Sequence, residues 1–307
     1  MSPTPCSQSH TVSVQLPDIL SSCTSFELRA NRHCRSVSQA SEAWLRDVGL
    51  RLEWRGLKVG LWAALCYPGA DLSQLRLTAD FLSLLVYSQE DGAGDGKQVF
   101  DLISDRLSRV AYKSPAWYMR FHRSMRAYHD ANQRLLDYIC IPDLETYVDL
   151  RRDASGFRMM FHLIEYAGGL NLPERASSHR ILKQLTDQAC NIMTWSEDAL
   201  SCAKGVTTTS RPNIVSVLMK ERNCSFGSAL IHVGTLVKQS ADAFLANEHL
   251  FDACVDLAMN DDTRRYVKGL RDCIAGTVNW LYETERYLGT KGSEVRAFGW
   301  VFVPVLE

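Results

Sequence analysis

Apolar residues recur at helical spacing along most of this 307-residue chain. Between residues 38 and 290 the segments Ser41-Glu-Ala-Trp-Leu-Arg-Asp-Val, Asp101-Leu-Ile-Ser-Asp-Arg-Leu, Met159-Met-Phe-His-Leu-Ile-Glu-Tyr and Asp252-Ala-Cys-Val-Asp-Leu-Ala-Met place them at i, i+3 and i+4. That period lays one apolar stripe along a helix. The runs Leu61–Tyr67 and Leu82–Tyr87 suit buried helix turns and fall far short of the roughly 20 residues that span a bilayer. Strand-like alternation is scarce. Turn signals are local: Tyr67-Pro-Gly-Ala-Asp, Asp91-Gly-Ala-Gly-Asp-Gly, Ala167-Gly-Gly-Leu-Asn-Leu-Pro and Thr290-Lys-Gly-Ser. No repeat period, low-complexity linker or composition shift divides the chain. The pattern predicts one all-α domain over residues 16–307, its helices set around a central apolar cavity. Residues 1–15 are predicted to form a disordered tail.

Composition narrows the function. Lys and Arg number 34 against 35 Asp and Glu, and 46% of residues are hydrophobic. Balanced charge excludes bulk electrostatic partners such as nucleic acid. The apolar share supports a substantial core. Ten cysteines are scattered with no Cys-x-x-Cys pair, and Ser2–His10 is too polar for a signal peptide. Free thiols and a cytoplasmic location are expected. His122 and His129 share a helix face, but no third ligand is spaced for zinc. Arg120, Arg123 and Arg126 form a stripe expected to face solvent. Tyr87, Phe81, Phe161 and Trp195 are candidate cavity aromatics, although aromatics at helical spacing more often fill a plain core.

Residues 195–205 read Trp-Ser-Glu-Asp-Ala-Leu-Ser-Cys-Ala-Lys-Gly. With Asn at Glu197 and Glu at Gly205, this is the second metal-binding motif of class I terpene synthases. Three further segments, in order, resemble the fungal, basidiomycete-type sesquiterpene cyclases of that class. They are Leu16-Pro-Asp-Ile-Leu-Ser-Ser-Cys with Phe26-Glu-Leu-Arg-Ala-Asn-Arg-His-Cys, then Asp143-Leu-Glu-Thr-Tyr-Val-Asp-Leu-Arg-Arg-Asp-Ala-Ser-Gly, then Glu283-Thr-Glu-Arg-Tyr-Leu-Gly. The resemblance covers roughly residues 15–302.

The resemblance implies a helical fold and a reaction in which a prenyl diphosphate loses its diphosphate to leave an allylic cation. Mg²⁺ ions and cationic side chains would stabilise the departing charge. It assigns Arg152 as diphosphate sensor, 45 residues before Glu197, with Ser155 as linker and Gly156 as effector carbonyl. Lys204, Arg286 and Tyr287 would bind the diphosphate. Arg152, Gly156 and Tyr287 form the expected catalytic set.

The metal ligands depart from the family. The acidic motif aligns with Gln89-Glu90-Asp91-Gly92-Ala93, so Gln89 and Ala93 replace two Asp residues. A two-residue slip pairs Asp91 with Asp95. In the second motif Glu197 replaces Asn, Ser201 is kept and Gly205 replaces Glu. A spacing of i, i+4 and i+8 sets such ligands on one helix face. The remaining candidate ligands are Glu90, Asp91, Asp95, Glu197 and Ser201, and Mg²⁺ is the candidate cofactor.

Three functions fit. The first is an atypical terpene synthase-like enzyme that cyclises, rearranges or couples a terpenoid or other hydrophobic substrate without three-Mg²⁺ ionisation. The second is a Mg²⁺-dependent farnesyl diphosphate cyclase with unusual ligands. The third is a non-catalytic terpenoid-binding protein. The partner in each is a small terpenoid or prenyl diphosphate, with no nucleic acid and no membrane span, in a monomer or homodimer.

Overall fold

The 3.6-residue pattern resolves into a helical bundle in the computed structural model, which describes residues 10–90, 98–138, 140–204 and 212–305. Its main helices are α1 (Cys34–Asp47), α2 (Val59–Cys66), α3 (Leu72–Glu90), α4 (Ser104–Lys113), α5 (Pro115–Asp137) and α6 (Leu144–Ala154). There follow α7 (Phe157–Gly168), α8 (Arg180–Ser201), α9 (Ile214–Arg222), α10 (Phe226–Ala253), α11 (Asp261–Glu283) and α12 (Gly292–Phe298). Short side chains set the starts. Asp143 accepts the Thr146 amide at 2.8 Å at the head of α6. Asn213 and Ser216 form a reciprocal capping box at α9.

Helix α8 is the axis of the site. Every residue from Ala189 to Leu200 is buried, the signature of a helix enclosed on all sides. It packs against α10 and α11 and touches α6, α7 and α9. A second core layer joins α2 to α11, where Trp62 stacks on Trp280 with centroids 4.3 Å apart. The Trp62 indole N–H donates to Thr277 Oγ1 at 2.9 Å, so this layer buries aromatic area without stranding a polar group.

Strands close the outside. Residues His10–Gln15 form β1 and pair antiparallel with β2, Trp300–Val305. The expected tail over 1–15 is therefore corrected over its last six residues. The signal was the alternation of Val12 and Val14 with polar neighbours, matched by Val301 and Val303 opposite them. Val14, Val301 and Val303 are buried, while Trp300 and Phe302 face outward. Among the described residues no helix is long and apolar enough to cross a membrane.

Candidate active site

Gly156 divides α6 from α7. Its φ is 78°, and a Cβ there would lie 2.6 Å from Leu85 Cδ1, so only glycine fits without strain. The break leaves Arg151 and Arg152 in the last turn of α6. Ser155 Oγ stitches it, accepting from the Phe157 amide at 3.1 Å and donating to the Arg152 carbonyl at 2.9 Å. The Gly156 carbonyl accepts from the Met159 amide at 3.0 Å and so begins α7. The Ser155 carbonyl beside it accepts the Gln89 side-chain amide at 3.2 Å. A carboxylate at position 89 could not donate that bond. Gln89 thus ties the end of α3 to the break.

The sensor candidate and its neighbour part ways. Arg152 Nε donates to Asn191 Oδ1 at 2.9 Å, and its Nη1 lies 3.5 Å from Asp149. Arg151, absent from the motif, reaches the second metal motif instead. Its Nη2 donates to Glu197 Oε2 and to Asp198 Oδ1, each at 2.8 Å. Asp198 also accepts the Tyr147 hydroxyl at 2.6 Å and the Ile214 amide at 3.1 Å, so it anchors α6 and α9 to α8.

Glu197 is held from its other side as well. Its Oε1 accepts the Tyr287 hydroxyl at 2.6 Å and lies 3.7 Å from Arg286 Nη1. Lys204 Nζ stands 5.5 Å and Arg286 Cζ 5.2 Å from the centre of the Tyr287 ring. Cations over an aromatic face are attracted by its quadrupole and fix the ring. Burial works to raise the Glu197 carboxyl, but Arg151, Arg286 and the Tyr287 hydroxyl outweigh it and hold the group below its ordinary range. Burial lifts the Tyr287 phenol well above its ordinary value, so it keeps its proton and donates. Glu197, Lys204, Arg286 and Tyr287 therefore meet in one cluster. Arg152, Gly156 and Gln89 belong to the α6–α7 break.

The profile of terpene synthase family 2, C-terminal metal binding, matches residues 70–243. Sesquiterpene synthase Agr1 of Cyclocybe aegerita is 30% identical over 96% of this chain and 94% of its own length. The chain belongs to the terpene synthase family. Sesquiterpene synthase 2 of Postia placenta is 31% identical, covering 96% of each protein. Among solved terpene synthases, the linalool/nerolidol synthase of Streptomyces clavuligerus superposes with a TM-score of 0.71 at 19% identity, over 83% of this chain and 97% of its own. That likeness establishes the shared fold.

The family profile is a metal-binding one, and of the candidate Mg²⁺ ligands the structure describes the side chains of Glu197 and Ser201 alone, both of them already engaged within the protein. Mg²⁺ requires several oxygens in near-octahedral array. Both Glu197 oxygens are engaged by Arg151 and Tyr287, with a second guanidinium at 3.7 Å. A dication there would face two cations. Ser201 Oγ donates back to the Asp198 carbonyl at 2.9 Å. The helix that should carry the motif ends at Ser201 and tightens into a 3₁₀ turn, Cys202–Lys204. Among the described residues no three His, Cys, Asp or Glu side chains converge on a metal position. Asp91, Ala93, Asp95, Gly205 and the side chain of Glu90 lie outside the described residues.

Other expectations shift. Arg120 does not face solvent with Arg123 and Arg126; it reaches inward to Glu165 at 2.6 Å. Phe81 packs against Phe100 and Phe121, and Trp195 against Tyr147, as ordinary core. The residues that motif reading missed, Arg151 and Asp198, carried one signal: an Arg pair opposite an adjacent Glu-Asp pair.

Proposed function

We propose that this protein is an atypical terpene synthase-like enzyme. It takes a terpenoid or other hydrophobic substrate and cyclises, rearranges or couples it without three-Mg²⁺ ionisation of a diphosphate. The observation that carries this reading is the commitment of Glu197 to Arg151, Tyr287 and Arg286. A side chain at a ligand position has become an internal ion-pair partner. Gln89 supports it from the other wall, where an amide bonds a carbonyl instead of a metal. The chain's own residues then bind and shelter a reactive hydrocarbon in a dry site, where fixed dipoles act strongly.

A second reading rests on a different observation. Named sesquiterpene synthases are about 30% identical across nearly the whole chain, and Lys204, Arg286 and Tyr287 remain clustered. On that reading farnesyl diphosphate is cyclised with Mg²⁺ held by unusual ligands.

Incubation with farnesyl and geranylgeranyl diphosphates, with Mg²⁺ or with EDTA, separates the two once hydrocarbons are extracted and analysed. The first reading expects no metal-dependent product, and expects turnover of a neutral terpenoid in EDTA. Robust Mg²⁺-dependent turnover, abolished by Glu197→Ala or Arg152→Ala, would overturn it in favour of the second. The combined variant Gln89→Asp, Ala93→Asp, Glu197→Asn and Gly205→Glu is expected to acquire metal-dependent turnover.

A further inference from the structure

Away from the α6–α7 break, α3 and α4 carry cations that line one cleft. Arg106, Arg109, Val110 and Lys113 are spaced i, i+3, i+4 and i+7, so they share a face of α4. On α3, Arg76 sits one turn before Asp80. Asp80 is fully buried and joins the two helices. It accepts from Arg76 Nε at 2.9 Å on each oxygen and from Arg106 Nη1 at 2.5 Å. Two guanidiniums thus share one carboxylate, which fixes their planes and leaves one positive charge over. Arg109 and Lys113 are exposed and form no ion pair among the described residues. The other carboxylate on the cleft wall, Glu165, is taken by Arg120 at 2.6 Å.

The cleft has a volume of 570 Å³. Leu77, Val110 and Leu170 supply an apolar wall, and Tyr166 stands in the field of Arg106. Burial raises the pKa of Tyr166, so its phenol keeps its proton and is a further donor. A cleft lined by one sign of charge concentrates the opposite ion. Its volume falls within the roughly 300–1,000 Å³ of small-molecule sites and leaves room beyond an inorganic anion. We infer that this cleft is a second ligand site, which takes a small phosphate ester. Arg76, Arg106, Arg109 and Lys113 grip the phosphate, and the apolar wall covers the body of the ester. The site is separate from the α8 cluster. Along α3, Asp80 precedes Gln89 by nine residues, about 14 Å, and along α7, Tyr166 follows Gly156 by ten, about 15 Å. The inference therefore holds under either reading of the α8 cluster.

The test reads the cleft locally, so that a phosphate bound elsewhere does not register. The full chain in EDTA is labelled with acetic anhydride, and acetylation of Lys113 is followed by peptide mass spectrometry. Hexyl phosphate is expected to protect Lys113 at concentrations at least about tenfold below those of inorganic phosphate, because burying even two methylenes is worth about that factor. Hexanol, with the same body and no charge, is expected to give no protection. Absence of protection by hexyl phosphate overturns the inference. So does equal protection by inorganic phosphate, which makes the cleft a plain anion site, and so does protection by hexanol, which removes charge as the cause.

Arg109→Gln removes an exposed charge that no described carboxylate holds, and it leaves the buried Asp80 group intact. It is expected to raise the hexyl phosphate needed to protect Lys113 by about tenfold, the loss of one charge-assisted bond, while Arg109→Lys stays closer to the parent. Unchanged protection in Arg109→Gln overturns the assignment of the phosphate to these cations. Vesicles containing phosphatidic acid offer the same chemistry on a bilayer. Protection by the soluble ester and not by vesicles assigns a free ester; protection by both assigns a lipid headgroup held by the same side chains. Protection by vesicles alone overturns the inference.

Discussion

Adjacent carboxylates on α8 do different work, and single substitutions should separate them. Asp198 holds Tyr147, Arg151 and the head of α9. Asp198→Ala should cost about 3–5 kcal/mol in urea unfolding, because it breaks a buried ion pair and leaves the Tyr147 hydroxyl and the Ile214 amide without their acceptor, while Arg151 keeps only Glu197. Glu197→Ala should cost less, since Arg151 keeps Asp198. A different residue governs the response to mild acid. His162 is half-buried, its Nε2 lies 3.0 Å from Ser124 Oγ, and it faces Glu165, Arg120 and Arg158. Burial depresses its pKa despite Glu165, which pulls the other way. The folded state therefore keeps it neutral while the unfolded chain takes up a proton below its ordinary value of 6.5. Stability is expected to fall as pH drops below that value, by up to about 1.4 kcal/mol per pH unit from this group. His162→Gln should flatten the decline in urea midpoints between about pH 7.5 and about pH 5.5.

Element contacts decide where substitutions are tolerated. At the crossing of α2 and α11, a Cβ on Gly276 would sit 2.7 Å from the Leu65 carbonyl carbon and 2.8 Å from the Cys66 amide nitrogen. Backbone atoms cannot step aside as a side chain can. Gly276→Ala should therefore destabilise by about 1–3 kcal/mol, seen as a lowered thermal midpoint with the helical spectrum retained. Helices such as α7 and α8 were legible in the sequence because their periodicity is local and long. The ribbon was not, because each strand shows only two or three inward positions and its partner lies at the other end of the chain. The site divides in the same way. Glu197, Lys204, Arg286 and Tyr287 were found through motif frames, and they do converge. Arg151 was overlooked because both arginines of the pair reach α8, and one residue of register, some 100° around a helix, decides which of them meets Glu197 and which meets Asn191. No local pattern carries that register; it is set by the packing of α6 against α8. Arg120 escaped for the same reason, since its partner Glu165 sits on another helix.

At the scale of the whole molecule, the ribbon of β1 and β2 ties the two ends of the described chain together. Removing residues 1–15 takes away the strand that covers Val301 and Val303. The expected loss is about 2–4 kcal/mol in urea unfolding, from two valines returned to water, while far-ultraviolet circular dichroism stays helical. The pairing also orders events in time. Nearly the whole described chain separates His10 from its partner Val305. At about 5–20 residues per second of translation, β1 leaves the ribosome on the order of 15–60 s before β2 exists. Throughout that interval it is an unpaired strand with open amide and carbonyl edges, a template for any neighbouring chain on the same message. Its short length and the polar residues between its valines limit that hazard. Completion of the ribbon thus reports the emergence of residues 300–305 from the ribosome.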